Sequence, residues 1–455
     1  TALWEPQTAK ALGRLITKLD SYISKILDHI KKLLDNTEDS DLSKYYYQLY
    51  KNTQQCRRMY KSNRGMKNAF SIASTDLLNL NFTKNLNMKH NLFPIANKKI
   101  VDFTTGQQRD RERHDMFSFE CSVSLMEGDS QNFDKVNRYM TSTFCEDQEL
   151  VDYMCERLGV FLTGETLREV EIWHGIGRNG KSTTSDLLRT IMGPFFTTVN
   201  KAVFIENPRA HQSAGSAHTS HLVPLVGKRL GMSSEIKESS EFNTAMLKGI
   251  SGGDPITYRP AYGKEELTFV SFAKMVLMTN PKPQFDFDDG ALIDRLRYIP
   301  FKARFVDNPN PNNSNEYKAD KEFIEEMNTR EQLNQFFTYL VGGALRFYNR
   351  GRKLITPAVV MADKTASVQE ANRVGNFIND CCDVKLELDA HVDVDEWTTS
   401  LRMLNNKFDD YLRDNGYNES KRGELSKDLS KMGFRKIKNS SIMFRGIKLA
   451  GDHVG

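Results

Sequence analysis

No apolar run in this 455-residue chain approaches the ~18 residues that a membrane-spanning helix needs. The stretch around Val270–Met278 reaches about half that length, so no membrane partner is expected. Cysteine is scarce. The six residues Cys56, Cys121, Cys145, Cys155, Cys381 and Cys382 form no CxxC pair and no framework spacing, which argues against a secreted disulfide scaffold and for a reduced, intracellular protein. Neither cysteines nor histidines fall at metal-ligand spacing, and the adjacent Cys381 and Cys382 are a poor pair for one ion, so no structural zinc is expected. No secretory or lipoprotein leader is expected, and the sequence shows no internal repeat and no low-complexity tract. Charge of one sign is missing too: 63 Lys+Arg against 59 Asp+Glu leave only +4, so the grouping of basic residues matters more than their sum. What is present is a globular balance, 39% hydrophobic and 27% charged, which excludes a disordered chain. At ~150 residues per domain the length suggests about three domains.

The pattern divides the chain at 1–85, 86–150, 151–360 and 361–455. In the first segment Leu12, Leu15, Ile16, Leu19, Ile23, Ile26, Leu27, Ile30 and Leu34 recur at helical steps, predicting a long amphipathic helix that ends at the cap formers Asn36–Asp41. A second helix follows through Tyr45–Tyr60. Residues 1–70 hold 13 basic and 7 acidic side chains, with Arg57, Arg58, Lys61 and Arg64 at the end of that helix. They fit either a solvated helical bundle or a basic collar touching nucleic acid or a neighbouring subunit. Short β-rich runs follow at Leu92–Ile95 and Lys99–Phe103, with a turn at Thr104–Gly106. From Glu169 to about Pro300 strands and helices alternate, the pattern of an α/β layer with a mostly parallel sheet. The C-terminal block is expected to hold three helices and two strand-like runs, Phe434–Ile437 and Ile442–Leu449.

The most informative stretch runs from Val170 through His174 to Thr184. Gly175, Gly180, Lys181 and Ser182 fit G-x-x-x-x-G-K-[ST], preceded by an apolar strand and followed by a helix over Thr183–Ile191. Glycines at 175, 177 and 180 let backbone amides, with Asn179, curl around phosphates, and the helix presents its N-terminus to the negative charge. Lys181 would hold the β- and γ-phosphates, Ser182 would reach Mg²⁺, and Thr183 would follow along the phosphates. His174 reads as a strand-end residue packing beside the loop rather than as a catalytic group.

Hydrolysis also needs a carboxylate and a sensor of the γ-phosphate. About 50 residues on, Lys228–Glu235 reads as a short strand ending in an acid, making Glu235 the candidate for water activation or metal coordination and Glu238 a second. Lys274–Thr279 is a buried-strand pattern ending at Asn280, which can hydrogen-bond the attacking water and the γ-phosphate. Arg295, favoured over Arg297, could stabilise transition-state charge on the phosphates of a neighbouring subunit. Between acid and Asn, Ile256–Arg259 and Leu267–Val270 predict a hairpin tipped by Tyr262-Gly263-Lys264. A lysine and an aromatic beside a glycine suit tracking along a nucleic-acid backbone, although a plain charged surface hairpin has the same pattern.

In this order the residues resemble superfamily 3 helicases, a viral and phage branch of the AAA+ ATPases, and in particular the helicase part of poxvirus-type and phage or plasmid primase-helicases. Gly177–Thr183 is similar to the family's Walker A, Arg229–Glu235 to Walker B, Leu247–Arg259 with Tyr262–Lys264 to the B′ hairpin, and Asn280 to the motif C sensor. Arg295 before Ile299-Pro300-Phe301 is in register with the arginine finger, and Asn91–Gly106 resembles an element that precedes these helicases. The likeness covers about residues 85–360 well and the C-terminal block loosely. Two departures stand out. Ser234 precedes Glu235 where many members carry paired acids, leaving open how Glu235 and Glu238 divide their duties. Lys98 or Lys99 replaces a family glycine upstream.

The resemblance implies an α/β fold: an AAA+ P-loop ATPase core with an N-terminal helical/α+β domain and a C-terminal winged-helix-like α+β domain. It further implies a ring, a hexamer, that hydrolyses ATP with Mg²⁺ between subunits, Arg295 acting in trans. Lys248, Tyr262 and Lys264 would face single-stranded DNA. A primase domain would lie upstream of Thr1, and the setting would be viral replication sites in the host cytoplasm, in a large DNA virus of the African swine fever virus type. Two other classes compete: a P-loop transferase acting on a small molecule, and a nucleotide-switched DNA-binding scaffold without productive unwinding.

Overall fold

The structure is a computed structural model that describes residues 9–62, 64–65, 67–68, 82–206, 219–234, 236, 241–258, 266–280, 282–283, 285, 289–386, 397–415, 417, 423–438 and 441–450. The chain divides into two compact units, one formed by Thr1–Met88 with Glu112–Phe119, the other by Lys89–Arg111 with Glu120–Gly455.

In the first unit, α1 (Ala9–Asp35) and α2 (Ser40–Lys61) pack on each other as a helical pair. The break between them is set by Asp39, whose carboxylate accepts from the Asp41 and Leu42 amides and so caps α2. Leu27 and Ile30 are buried on α1. The basic end of α2 is partly neutralised within the pair: Asp20 binds Arg57 at 2.7 Å and Lys61 at 2.8 Å, and accepts from Tyr60.

The second unit opens with an antiparallel sheet of β1 (Leu92–Ile95), β2 (Lys99–Asp102) and β3 (Gln107–Asp110). The polar third strand has no apolar alternation to announce it. The main feature is a five-stranded parallel sheet built from β4 (Val170–His174), β5 (Phe196–Thr198), β6 (Leu230–Ser234), β7 (Lys274–Thr279) and β8 (Leu296–Pro300), in the order β8-β4-β7-β6-β5. Its central strands are buried almost throughout, which is why they read as continuous apolar runs rather than alternating ones. Register places His174 beside Thr279, and Ser234 beside Met278, so the polar strand ends gather along one edge.

Two helices brace this sheet at very close range. Helix α3 (Gln148–Leu162) and α4 (Arg330–Asn349) approach so tightly that a Cβ on Gly343 would lie 2.2 Å from the Cys155 carbonyl oxygen, and one on Gly159 2.4 Å from that of Leu340. Arg157 of α3 is buried in an ion-pair network with Glu169 and Glu171, which also accepts from the Trp173 indole. Arg229, just before β6, donates to the Leu162, Lys89 and Leu92 carbonyls and so ties the end of α3 to β1.

The expected hairpin is present as Pro255–Tyr258 against Leu267–Val270, antiparallel, with Tyr258 opposite Leu267. Beyond Pro357, helix α5 (Ala358–Ala371) packs on β8. Helices α6 (Arg373–Cys381), α7 (Leu401–Asp414) and α8 (Glu424–Lys431) then share a core of Phe377, Leu404, Phe408, Leu429, Phe444 and Ile447 with two small antiparallel sheets. The two strand-like runs expected there are three strands, and two further three-residue strands, Cys382–Val384 and Thr398–Ser400, are too short to leave a periodic signal.

Candidate functional site

At the carboxyl end of β4 the chain turns through Gly175–Gly180 into helix α9 (Lys181–Met192). Gly175 has φ +148, and a Cβ there would sit 2.2 Å from the Phe301 carbonyl oxygen and 2.6 Å from the Asn179 amide nitrogen. Only glycine fits so close an approach. Gly180 and Arg178 both have positive φ, at +87 and +64. The loop is held from outside: the Phe301 amide donates to the His174 carbonyl, the Asn179 side chain donates to the Phe301 carbonyl, and the Phe305 amide donates to Arg178. Helix α9 has no acidic residue in its first turn and no side-chain cap, so its N-terminus suits an external anion.

Lys181 is buried at that helix start. Its ammonium donates to the Gly175 carbonyl at 2.6 Å and to Asn280 Oδ1 at 3.2 Å. Burial pulls its pKa down to about 8. Two residues 99 positions apart are thus joined across the ends of β4 and β7. Beside them is a cleft of about 420 Å³ lined by Lys181, Ser182, Asp186, Ser234, Thr279 and Asn280. Ser182 and Asn280 are exposed to it, whereas Thr184 is buried and hydrogen-bonded to Tyr139, whose hydroxyl burial drives to a high pKa.

Other expected residues are placed as follows. Glu235, Glu238, Arg259, Tyr262 and Lys264 lie outside the described residues; β6 ends at Ser234, on the cleft. Gly177 and Thr183 lie on the loop and the first turn of α9. Lys248 sits on the helix Thr244–Gly252 rather than on the hairpin, and pairs with Asp289 at 2.7 Å; Asp289 also caps the helix Gly290–Arg295. Burial raises the Asp289 pKa, but the Lys248 hydrogen bond and charge outweigh it and hold the carboxyl low. A DNA contact by Lys248 would compete with that pair. Arg295 ends the capped helix, its guanidinium donating to the Ala291 carbonyl at 2.5 Å while its buried Nε has no hydrogen-bond partner among the described residues. Arg297 is instead tied to Glu169 at 2.8 Å.

His174 is not simply a packing residue. Its Nε2 meets Asp363 of α5, and Lys282, two residues beyond Asn280, reaches the same carboxylate at 3.5 Å. Burial opposes charge on Asp363, yet the His174 bond and the Lys282 charge hold its pKa low. The 189-residue separation left no signal in sequence. Among the described residues no group of three or more His, Cys, Asp or Glu could hold a metal. The donors on the cleft, the Ser182 and Ser234 hydroxyls, Asn280 and the Asp186 carboxylate, are hard oxygen groups of the class that Mg²⁺ takes, with no thiolate or imidazole among them.

A family model described as a family of unknown function, DUF5906, matches residues 173–295, the stretch from the last residues of β4 to Arg295. A protein named "Putative helicase" in Acanthamoeba polyphaga mimivirus is 26% identical over 313 residues, covering 66% of this chain and 31% of that protein. One of the same name in Invertebrate iridescent virus 6 is 25% identical over 253 residues, covering 51% and 26%. A "Putative primase" of African swine fever virus is 24% identical over 332 residues, covering 70% and 33%. The chain thus spans about a third or less of the length of these relatives, which come from large DNA viruses. Among solved structures, the apo C-terminal region of NrS-1 aligns over 74% of this chain and 80% of that one, at 13% identity and a TM-score of 0.43.

Proposed function

We propose that this chain is the ATP-driven motor part of a viral replication helicase, a superfamily 3 AAA+ ATPase that acts on single-stranded DNA as a ring. The observation that carries the reading is Lys181, buried at the N-terminus of α9 and joined to both the Gly175 carbonyl and Asn280 beside an open cleft. An ammonium held in this way, next to loop amides and an uncapped helix start, is built for a polyphosphate. The names carried by the viral relatives support the helicase part of the reading.

In this account the amides of Gly177–Lys181 and the Lys181 ammonium bind the β- and γ-phosphates. Ser182, with Glu235, would hold Mg²⁺, which would supply charge neutralisation on the phosphates. Glu235 takes the proton of the attacking water, and Asn280 orients that water against the γ-phosphate. Arg295 reaches the nucleotide of the next subunit, and Tyr262 and Lys264 contact DNA. The test is displacement of a labelled strand from a forked duplex by the purified chain with Mg²⁺ and ATP. ATP-dependent displacement is the expected result. ATP turnover without displacement on any forked substrate would favour the transferase reading, and ATP binding without turnover the switch.

A further inference from the structure

Helix α5 packs on β8, and Val360, Asp363 and Ser367 fall on one face of it at helical spacing, with Val360 and Ser367 buried. A carboxylate on the inner face of a helix needs partners, because burial without them penalises its charge. Asp363 has one for each oxygen: Oδ2 accepts from His174 Nε2, and Oδ1 from the Lys282 ammonium at 3.5 Å. His174 is the last residue of β4, and the next residue, Gly175, opens the phosphate-binding loop. Lys282 lies two residues beyond Asn280, which follows the neighbouring strand β7. Both arms stand against the buried ring of Tyr298 on β8. The His174 ring meets it edge-on with centroids 6.1 Å apart, and the Lys282 ammonium is 5.7 Å from its centroid. The side chains of Asp363, His174 and Lys282 are only 18%, 15% and 22% exposed, so solvent screens these pairs less than surface ones. Glu370, two turns on along α5, also reaches Lys282, at 3.4 Å, but is 61% exposed.

We propose that Asp363 is a positioning residue for ATP hydrolysis, a carboxylate that sets the gap between the phosphate-binding loop and Asn280, an inference that rests on the reading of Lys181 and Asn280 given above. Lys181 donates to the carbonyl of Gly175 and to Asn280 Oδ1. Its two partners therefore lie one and two residues from the two arms that Asp363 holds. The ladder between β4 and β7 ends at the pair of His174 and Thr279. Past that pair, the bond from Lys282 to Asp363 ties the chain after Asn280 back to the end of β4 through His174. Asn280 is thus held between the last strand pair behind it and the clamp ahead of it. A bound triphosphate draws the Lys181 ammonium to itself, and Asn280 then loses that hydrogen bond. The clamp is what keeps the Asn280 amide aimed at the attacking water, where a small error in position costs rate directly. The first helix of the C-terminal segment in this way serves the site from outside residues 151–360.

The test is a double-mutant cycle on the full chain. Single-turnover ATP hydrolysis, with Mg²⁺, single-stranded DNA and the chain in excess over labelled nucleotide, is followed for wild type, Asp363→Asn, Asn280→Ala and the double variant. Calorimetry with a non-hydrolysable ATP analogue gives the affinity of each and shows that the loop is intact. Asp363→Asn keeps the shape of the side chain and removes its charge. It should slow hydrolysis roughly tenfold or more while analogue affinity stays at the wild-type value. In the Asn280→Ala background the same change should slow it no further, because its route to the reaction has gone. Lys282→Met should reproduce the loss, and Glu370→Gln should keep the wild-type rate. If Asp363→Asn fails to bind the analogue, the cycle of Lys282→Met with Asn280→Ala decides in its place. Wild-type rates in Asp363→Asn and Lys282→Met, a loss as large in Glu370→Gln, or an equal loss with and without Asn280 overturns the positioning role and leaves the reading of the loop standing. An equal loss is what a bond that merely fastens α5 would give. A wild-type chain that hydrolyses no ATP, or an Asn280→Ala chain at the wild-type rate, overturns the reading of the site and the positioning role with it.

Discussion

Lys181 gives the site a measurable pH signature. Its folded-state pKa of about 8 lies below the ordinary lysine value because burial penalises the charge. Bound triphosphate favours the ammonium, so nucleotide affinity should be level below pH 8. It should fall by up to tenfold per unit as the pH rises above that value, with proton uptake on binding. Calorimetry in buffers of different ionisation enthalpy reads the uptake; an affinity flat from pH 7 to 9.5 would contradict it. The same shift makes folding more favourable as pH rises from about 8 toward the unfolded lysine value, since there the unfolded chain holds a proton that the folded one has released. A second residue-scale prediction concerns the turn between β1 and β2. Asn97 and Lys98 both have φ near +60, at 62 and 61, the backbone of a two-residue turn that favours Asn-Gly. Lys98 therefore occupies a conformation that glycine adopts without strain. Lys98→Gly should stabilise this hairpin by about 1 kcal/mol, read as slower exchange of the Lys99 amide, and no gain would contradict the turn assignment.

At the scale of elements, the parallel sheet was legible because its central strands are buried on both faces and end in polar residues: Val170–His174 into the loop, Lys274–Thr279 into Asn280. Their apolar runs and terminal chemistry are local features, and so is the helix after Gly180. What was not legible is tertiary. The pairs Lys248 with Asp289 and His174 with Asp363 join distant residues, and Gln107–Asp110 forms a strand without an apolar face. The two-helix brace was likewise invisible, since two glycines in unrelated segments say nothing of each other until they touch. It leads to a sharp expectation. A methyl group on Gly343 would overlap the Cys155 carbonyl, so Gly343→Ala must push α3 and α4 apart. A loss of about 1–3 kcal/mol of stability is expected by denaturant titration, whereas Gly342→Ala, whose Cβ would meet only the end of the Arg346 side chain at 3.8 Å, should be near neutral. Equal effects of the two would contradict the close crossing.

At the scale of the whole molecule, the match covers only about a third of each relative's length, so assembly and partners belong to the proposal. Within it, Arg295 and Arg297 divide clearly: Arg297 is held by Glu169, while Arg295 stands at a helix end with only the Ala291 carbonyl as its hydrogen-bond acceptor among the described residues. Arg295→Ala should leave ATP binding intact and lower turnover by at least 10³-fold, the scale of an arginine finger, and turnover at the wild-type rate would remove the trans role. The central claim, a DNA-driven ATPase powered from the Lys181 site, is tested most directly by steady-state ATP hydrolysis with and without single-stranded DNA, on wild type and Lys181→Ala in parallel. The account predicts turnover that DNA stimulates and that the substitution abolishes. Hydrolysis indifferent to DNA, or surviving in Lys181→Ala, would contradict it.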